Sequence, residues 1–392
     1  MKLSCVKLLP LILLITACSE TVPIIKEKPV ALSIIIDPKV IAEPPITSTR
    51  LSSLKLYPTD FQALSGWNKD NHAKAYQSFK RSCRYWNKQA DHKRMKGLFD
   101  LGKLGDWKRL CKITVASGQE KKVFEHEFKP YAVNDKGTFK GLFTGYFIPQ
   151  LNGSYTKTER YNIPVYRRPK SAHLRRLTRS QIYNQGLRGK GLELLWVDNL
   201  MDVFFMEVQG SGRVKMENGS LQGLSYGGSN GRSYYAIGKT LVDNDEISRK
   251  DISMQTIRAW IDQHPKEGLK LMKKNRSYVY FRLTKVKPSE GAVGAMGQPL
   301  TAQHSLAVDR KHLPLGIPIW LEAEHPLNTK KSIEHLVMAQ DTGGAIKGAI
   351  RGDLYWGEGA NAGKFAGAMK SSGRYYLLLP RHLSAKISLS DG

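Results

Sequence analysis

Between Tyr278 and Pro380 the chain is written in short apolar runs, YVYFRL, GIPIWLEA, HLVMAQD and RYYLLLP, set apart by glycine-rich turns. Strands at such short intervals argue for a closed barrel rather than a layered sheet with helices on both faces. Strand patterning begins earlier, at about Phe139, with GLFTGYFIP and then LLWVDNLMDVFFMEVQG, where Phe204, Met206 and Val208 alternate with Glu207 and Gln209. Helices are expected ahead of and between these strands. Tyr76, Phe79, Cys83 and Trp86 share one helical face, and Trp107, Leu110, Cys111 and Val115 a second. A third opens near Ser253 with Ile257, Trp260 and Ile261 on one side, and Pro265 interrupts it. The class is therefore mainly β with some α.

The N-terminus limits where such a chain works. Lys2 and Lys7 precede an apolar stretch, Leu8 to Ile15, of signal-peptide length, and Ile15-Thr16-Ala17-Cys18 resembles the bacterial lipobox. Residues 1–17 are read as a signal peptide and Cys18 as the lipidated residue. Ser19 after it fits outer-membrane sorting. Residues 18–56, with five prolines, are read as a lipid-anchored linker, extended rather than packed. The chain carries 61 Lys and Arg against 34 Asp and Glu, a net charge of +27, so a polyanionic partner is expected. Export makes that partner a cell-wall polymer or lipid surface, not nucleic acid. The basic stretch 157–191, with Tyr155, Tyr161, Tyr166 and Tyr183 interleaved, is read as a solvated face. Cys83 and Cys111 are disulfide candidates in an oxidising compartment, the alternative being two buried thiols. No histidine or cysteine spacing suggests a metal, and no cofactor is expected.

Chemistry concentrates in the C-terminal third. AVDRKHLPLG, AQDTGGAIKG and GDLYWG place Asp309, Asp341 and Asp353 beside apolar strands and flexible glycines within 45 residues. Asp341 and Asp353 are twelve residues apart across a glycine-rich loop, so a turn can bring both into one groove. With FTGYFIP (143–149), FFMEVQGSGRV (204–214) and NRSYVYFR (275–282), these motifs resemble the membrane-bound lytic murein transglycosylase A family from about residue 60 to 380.

The resemblance implies a double-psi β-barrel formed by 57–145 and 283–392, a second β domain inserted as 146–282, and a groove between them for a glycan strand. It implies a periplasm-facing outer-membrane lipoprotein acting as a monomer on peptidoglycan, in or out of a wall-remodelling complex. The implied reaction cleaves the β-1,4 bond between N-acetylmuramic acid and N-acetylglucosamine and leaves a 1,6-anhydro end. Because the attacking O6 belongs to the sugar itself, one carboxyl suffices where a hydrolase uses two. That acid/base maps to Asp353, with Asp341 as a catalytic neighbour that raises its pKa or orients it, and Asp309 as a structural cap before Pro314. Thr144, Gly145, Tyr146, Gln209, Gly210 and Ser211 map to groove-lining motifs, and Lys347 is expected to meet a substrate carboxylate. Two other readings remain open: a non-catalytic peptidoglycan-binding lipoprotein, and a hydrolase using both Asp341 and Asp353.

Overall fold

Alternating burial is what turns the N-terminal approach into structure. In the strand Leu54–Pro58, Leu54 and Leu56 are buried and the alternate residues Lys55 and Tyr57 are half-exposed. The strand pairs antiparallel with Phe128–Asp135, so the end of the expected linker packs into the core. The computed structural model describes residues 45–47, 53–97, 99–286 and 291–383. The expected signal peptide, Cys18 and most of the expected linker lie outside these.

Six strands close a ring. Gly141–Ile148 runs parallel to Arg351–Glu358, which lies antiparallel to Ser305–Val308, itself parallel to Ser332–Asp341. Pro318–Glu324 follows antiparallel, then Lys370–Pro380, which returns antiparallel to Gly141–Ile148. This is the expected double-psi barrel, with one strand from the N-terminal segment and five from the C-terminal one. Pro318–Glu324 is buried at every position but its last, as a strand covered on both faces must be.

The helix His72–Trp86 lies on the barrel, capped by Asn71, whose side chain accepts from the Lys74 N–H at 3.1 Å. Its buried face carries Phe79, Cys83 and Trp86, as the spacing predicts. Trp86 donates to the Leu315 carbonyl at 3.1 Å, and its ring lies so close to Gly316 that a Cβ there would sit 2.3 Å from it. Gly316 also has φ +104°, so only glycine fits. Cys83 is disulfide-bonded to Cys111, with a Cα separation of 5.6 Å. The second helix is shorter than its spacing suggests. It runs Leu104–Lys108, tightens to a 3-10 turn over Arg109–Lys112, and stops at the β-branched run Ile113, Thr114, Val115.

The second sheet has the order Val279–Lys285, Leu221–Ser229, Ser211–Met216, Gln150–Ser154, Glu193–Val197, Ile163–Tyr166. A bridge between Arg167 and Phe281 joins its two edges. The chain passes between sheets at Pro149 and after Lys285, so borders drawn at 145/146 and 282/283 fall inside strands.

One expected strand is a helix. Leu200–Gln209 is helical, capped by Asn199, which accepts from the Met201 and Asp202 N–H groups, and ended by Gly210 at φ +79°. Met201, Val203, Phe204, Phe205, Met206 and Glu207 are all buried, so the helix has no polar stripe and its apolar run mimics a strand. The third expected helix forms as read. Ser253 caps Met254–Gln263, and Pro265 opens Pro265–Lys274 at its first turn.

Candidate active site

A cleft of about 630 Å³ lies between the barrel and the second sheet. The barrel contributes Thr144, Gly145, Tyr146, Arg351, Asp353 and the loop Gly343–Ile346. The insert contributes Gln209, Tyr226, Arg232, Tyr234, Asn275 and Ser277. Period-two alternation decides what faces in. Arg351 and Asp353 are two apart on one strand and so share a face. The Cα partner of Asp353 across the parallel pairing is Thr144.

The Thr144 hydroxyl donates to Asp353 Oδ1 at 2.5 Å, and Arg351 Nη2 donates to the same hydroxyl oxygen at 2.8 Å. Burial pushes the Asp353 carboxyl up to about 6, against the Thr144 hydrogen bond and the Arg351 charge, which both lower it. Asp341 adds only the smallest contribution, so burial, not a like charge, is the main cause.

The two aspartates sit on either side of one strand. Ala307 is the Cα partner of Asp341 on its parallel side and of Asp353 on its antiparallel side. At 4.7–4.9 Å per strand spacing this puts the two backbones roughly 10 Å apart. Asp341 is not among the cleft-lining residues. Tyr146 donates to its Oδ2 at 2.9 Å, and the Ala295 and Thr342 N–H groups donate to Oδ1, each at 2.9 Å. Burial raises its pKa, and these donors oppose the rise.

Asp309 is the aspartate expected to cap the turn before Pro314. Its carboxylate accepts from the Lys311 and Gly348 N–H groups, each at 3.0 Å. Burial pushes its pKa up, but these donors overcome that and hold the carboxyl below its usual range. The Gly348 bond also ties down the loop that forms one lip of the cleft.

Among the residues expected to line the groove, Thr144, Gly145, Tyr146 and Gln209 do so. Gly145 must lack a side chain, because a Cβ would lie 2.6 Å from Trp356 Nε1. Gln209 Oε1 accepts from the Phe147 N–H at 3.0 Å and pins the helix end to the barrel strand. Gly210 and Ser211 do not line it. Gly210 is spent on ending the helix, and Ser211 starts a strand beside a separate small cavity. Lys347 is exposed and stands outside the cleft, beyond the buried Ile346.

Three features escaped the sequence reading. Arg351 stood just outside the GDLYWG motif as quoted, although its spacing from Asp353 marks it as a same-face neighbour. Arg179, in the stretch read as solvated, is buried against Glu207 beneath the cleft. Both side chains are only 1% exposed, and the guanidinium fork donates to both carboxylate oxygens at 3.0 Å. Arg179 also donates to the Asn275 and Ser277 carbonyls, locking the helix Leu200–Gln209 to the segment entering Val279–Lys285. Three of the four interleaved tyrosines also leave the expected solvated face: Tyr161 and Tyr166 are core residues and Tyr183 packs inside with Arg179, while Tyr155 is exposed.

The chain is similar to known proteins in sequence and in fold. Two family descriptions match the chain, the MltA specific insert domain over residues 142–282 and the 3D domain over residues 304–379. Membrane-bound lytic murein transglycosylase A of Escherichia coli strain K12 is 38% identical over 244 residues, covering 60% of this chain and 65% of the relative. A crystal structure of membrane-bound lytic murein transglycosylase from Agrobacterium tumefaciens is similar with a TM-score of 0.74 and 28% identity, covering 85% of this chain and 99% of that one. The chain belongs to the membrane-bound lytic murein transglycosylase A family. Another similar structure, of E. coli MltA with bound chitohexaose, has a TM-score of 0.64 and 29% identity, covering 81% of this chain and 91% of that one. The two family matches divide this chain much as its sheets do, with the insert match ending at residue 282 within the strand Val279–Lys285. Among the described residues no helix is long and apolar enough to cross a membrane.

Proposed function

We propose that the chain is a peptidoglycan lytic transglycosylase with Asp353 as its single acid/base. One observation carries the reading. Asp353 is the aspartate that lines the cleft, with its carboxyl held up near 6, whereas both oxygens of Asp341 are occupied by three donors. A relative named as a lytic murein transglycosylase and a related structure with bound chitohexaose support the substrate class.

In the first half of the reaction the Asp353 carboxyl gives its proton to the glycosidic oxygen as the bond from muramic C1 to that oxygen breaks. In the second, the muramic O6 bonds to C1 and passes its proton to the Asp353 carboxylate. The acid is regenerated, no water is consumed, and the products are an N-acetylglucosamine end and a 1,6-anhydromuramic end. The nucleophile is tethered to the electrophilic carbon, so positioning replaces the second carboxylate. A raised pKa keeps the acid protonated at the start. The cleft walls, with Tyr226 and Tyr234 exposed on the insert side, hold the glycan. Cys18 carries the anchoring part of the proposal, a lipid attachment to the outer membrane facing the periplasm.

Digestion of purified sacculi by the detergent-solubilised full chain tests the reading. Release of 1,6-anhydromuropeptides is expected. Reducing ends identify a hydrolase instead, and binding without release identifies a non-catalytic wall protein.

A further inference from the structure

Arg351 stands two residues before Asp353 on its strand, and its Cα partner Leu142 stands two residues before Thr144. Its Nη2 donates to Thr144 Oγ1 at 2.8 Å, and Thr144 Oγ1 donates to Asp353 Oδ1 at 2.5 Å. Its Nη1 donates to the carbonyls of Leu142, at 3.3 Å, and Gly352, so the fork is fastened to both parallel strands. A guanidinium has donors and no acceptor. The threonine oxygen must therefore accept from Arg351, and its one proton is left for Asp353 Oδ1.

We propose that Arg351 is a positioning residue of the reaction: by donating to Thr144 it aims the threonine hydroxyl at Asp353 Oδ1 and leaves Oδ2 as the oxygen that carries the transferred proton. The inference rests on the transglycosylase reading above. With the acid proton on Oδ2, all the hydrogen bonds of the triad survive. With it on Oδ1, the hydroxyl proton loses its acceptor. The chain Arg351–Thr144–Asp353 thus selects one of two otherwise equivalent carboxyl oxygens, and the same oxygen receives the O6 proton in the second half-reaction. The guanidinium charge also holds the Asp353 carboxyl lower than burial alone sets it. The other groups near that carboxyl are Tyr146, on the adjoining barrel strand, and Asp341, two strands away across the strand bearing Ala307. Arg232 and the Arg179–Glu207 pair line the rest of the cleft.

The test measures kcat and KM on soluble glycan strands from pH 4 to 8, with product analysis, for the full chain and for Arg351→Met, Arg351→Lys, Thr144→Val and Arg351→Met/Thr144→Val. Misplacing a reacting group by about 1 Å costs up to about 100-fold, so kcat of Arg351→Met is expected to fall roughly 10- to 100-fold with KM nearly unchanged. Its alkaline limb moves to higher pH, because the charge that lowered the acid's pKa is gone. Arg351→Lys restores the limb and part of the rate. Thr144→Val loses a similar factor, and the double variant is no slower than the worse single one, because both act through one contact. A raised KM with kcat intact overturns the proposal in favour of a substrate-binding arginine. Additive losses overturn it too, as does a rate loss with an unmoved limb and no rescue by lysine. Each of these leaves the transglycosylase reading standing while the wild type makes anhydro products. Reducing ends from the wild type defeat that reading itself.

Discussion

Thr144 and Asp353 are Cα partners on parallel neighbouring strands, and the threonine hydroxyl donates to the carboxyl oxygen at 2.5 Å. One strand comes from the N-terminal half of the chain and the other from the C-terminal half, 209 residues apart. The closed barrel creates this pairing, so the Asp353 carboxyl exists as a tuned group only in the assembled ring.

The pH profile follows from that tuning. On the proposed mechanism Asp353 starts protonated, and burial pushes its carboxyl up to about 6. Lysis is expected to fall as pH rises through about 6, by about tenfold per unit well above it. An ordinary solvated carboxyl near 3.9 would have lost its proton two units earlier. A plateau extending to pH 8 would show that Asp353 is not the acid.

Asp353→Asn keeps the shape but neither gives nor takes the proton. General acid–base help is typically worth 10²–10⁴-fold, and on the proposed mechanism one group serves both halves, so release of anhydro products should drop to background. Asp341→Asn is expected to be milder, because Asp341 contributes least to its neighbour's pKa. Its main effect is to weaken the bonds to Tyr146, Ala295 and Thr342. Equal and total loss at both positions would point to a paired-carboxylate hydrolase.

The same carboxyl has a stability signature. Its folded pKa lies above the ordinary carboxylate value of about 4, so the native state binds the proton more tightly than the unfolded chain between about pH 4 and 6. Stability from this group is full below pH 4 and is lost as pH rises through 6. Asp353→Asn escapes that loss. The variant should gain on the wild type as pH goes from 4 to 7, by ~1–2 kcal/mol after discounting for partial exposure. Thermal midpoints of both proteins at the two pH values measure it, and a constant difference would mean the carboxyl is not raised.

Barrel and cleft were legible in the sequence to different degrees, for physical reasons. The strands Pro318–Glu324 and Ser332–Asp341 announce themselves because a strand buried on both faces needs a continuous apolar run. The helix Leu200–Gln209 misleads for the same reason. It is buried nearly all round, and the residue that looked like the polar side of a strand, Glu207, is neutralised inside by Arg179. No local pattern shows that an arginine in a basic stretch will find a glutamate 28 residues on. Asp341 and Asp353 are expected from their spacing to share one groove, but only Asp353 lines the cleft, and their separation by the strand bearing Ala307 depends on barrel closure.

The Arg179–Glu207 pair should reveal itself by an asymmetry. Removing one member of a buried pair typically costs 3–5 kcal/mol, because the other charge is left unpaired, whereas replacing both with apolar groups costs far less. Arg179→Met is therefore expected to lower the thermal midpoint more than Arg179→Met/Glu207→Met does. Part of the loss persists in the double variant, since the Asn275 and Ser277 carbonyls lose their donor. A double variant as unstable as the single one would mean that the guanidinium's bonds to backbone, not its charge partner, set its value.

The disulfide makes a separate claim on the barrel's outer layer. Cys83 lies on the helix His72–Trp86 and Cys111 on the turn Arg109–Lys112, and the bond closes a loop of 28 residues. In the chain-entropy model a loop of that size stabilises by roughly 3–4 kcal/mol. The next residue back, Ser82, accepts from Gln340 Nε2 at 3.0 Å, and Gln340 precedes Asp341 on its strand. Reduction should therefore lower the thermal midpoint markedly while leaving the pH profile of lysis in place, because Asp353 lies on a different strand with its own partners. Cys83→Ser/Cys111→Ser should match the reduced protein and respond no further to reductant. Titration of the denatured, unreduced protein should find both thiols blocked, and two reactive thiols there would replace the bond with a pair of buried cysteines.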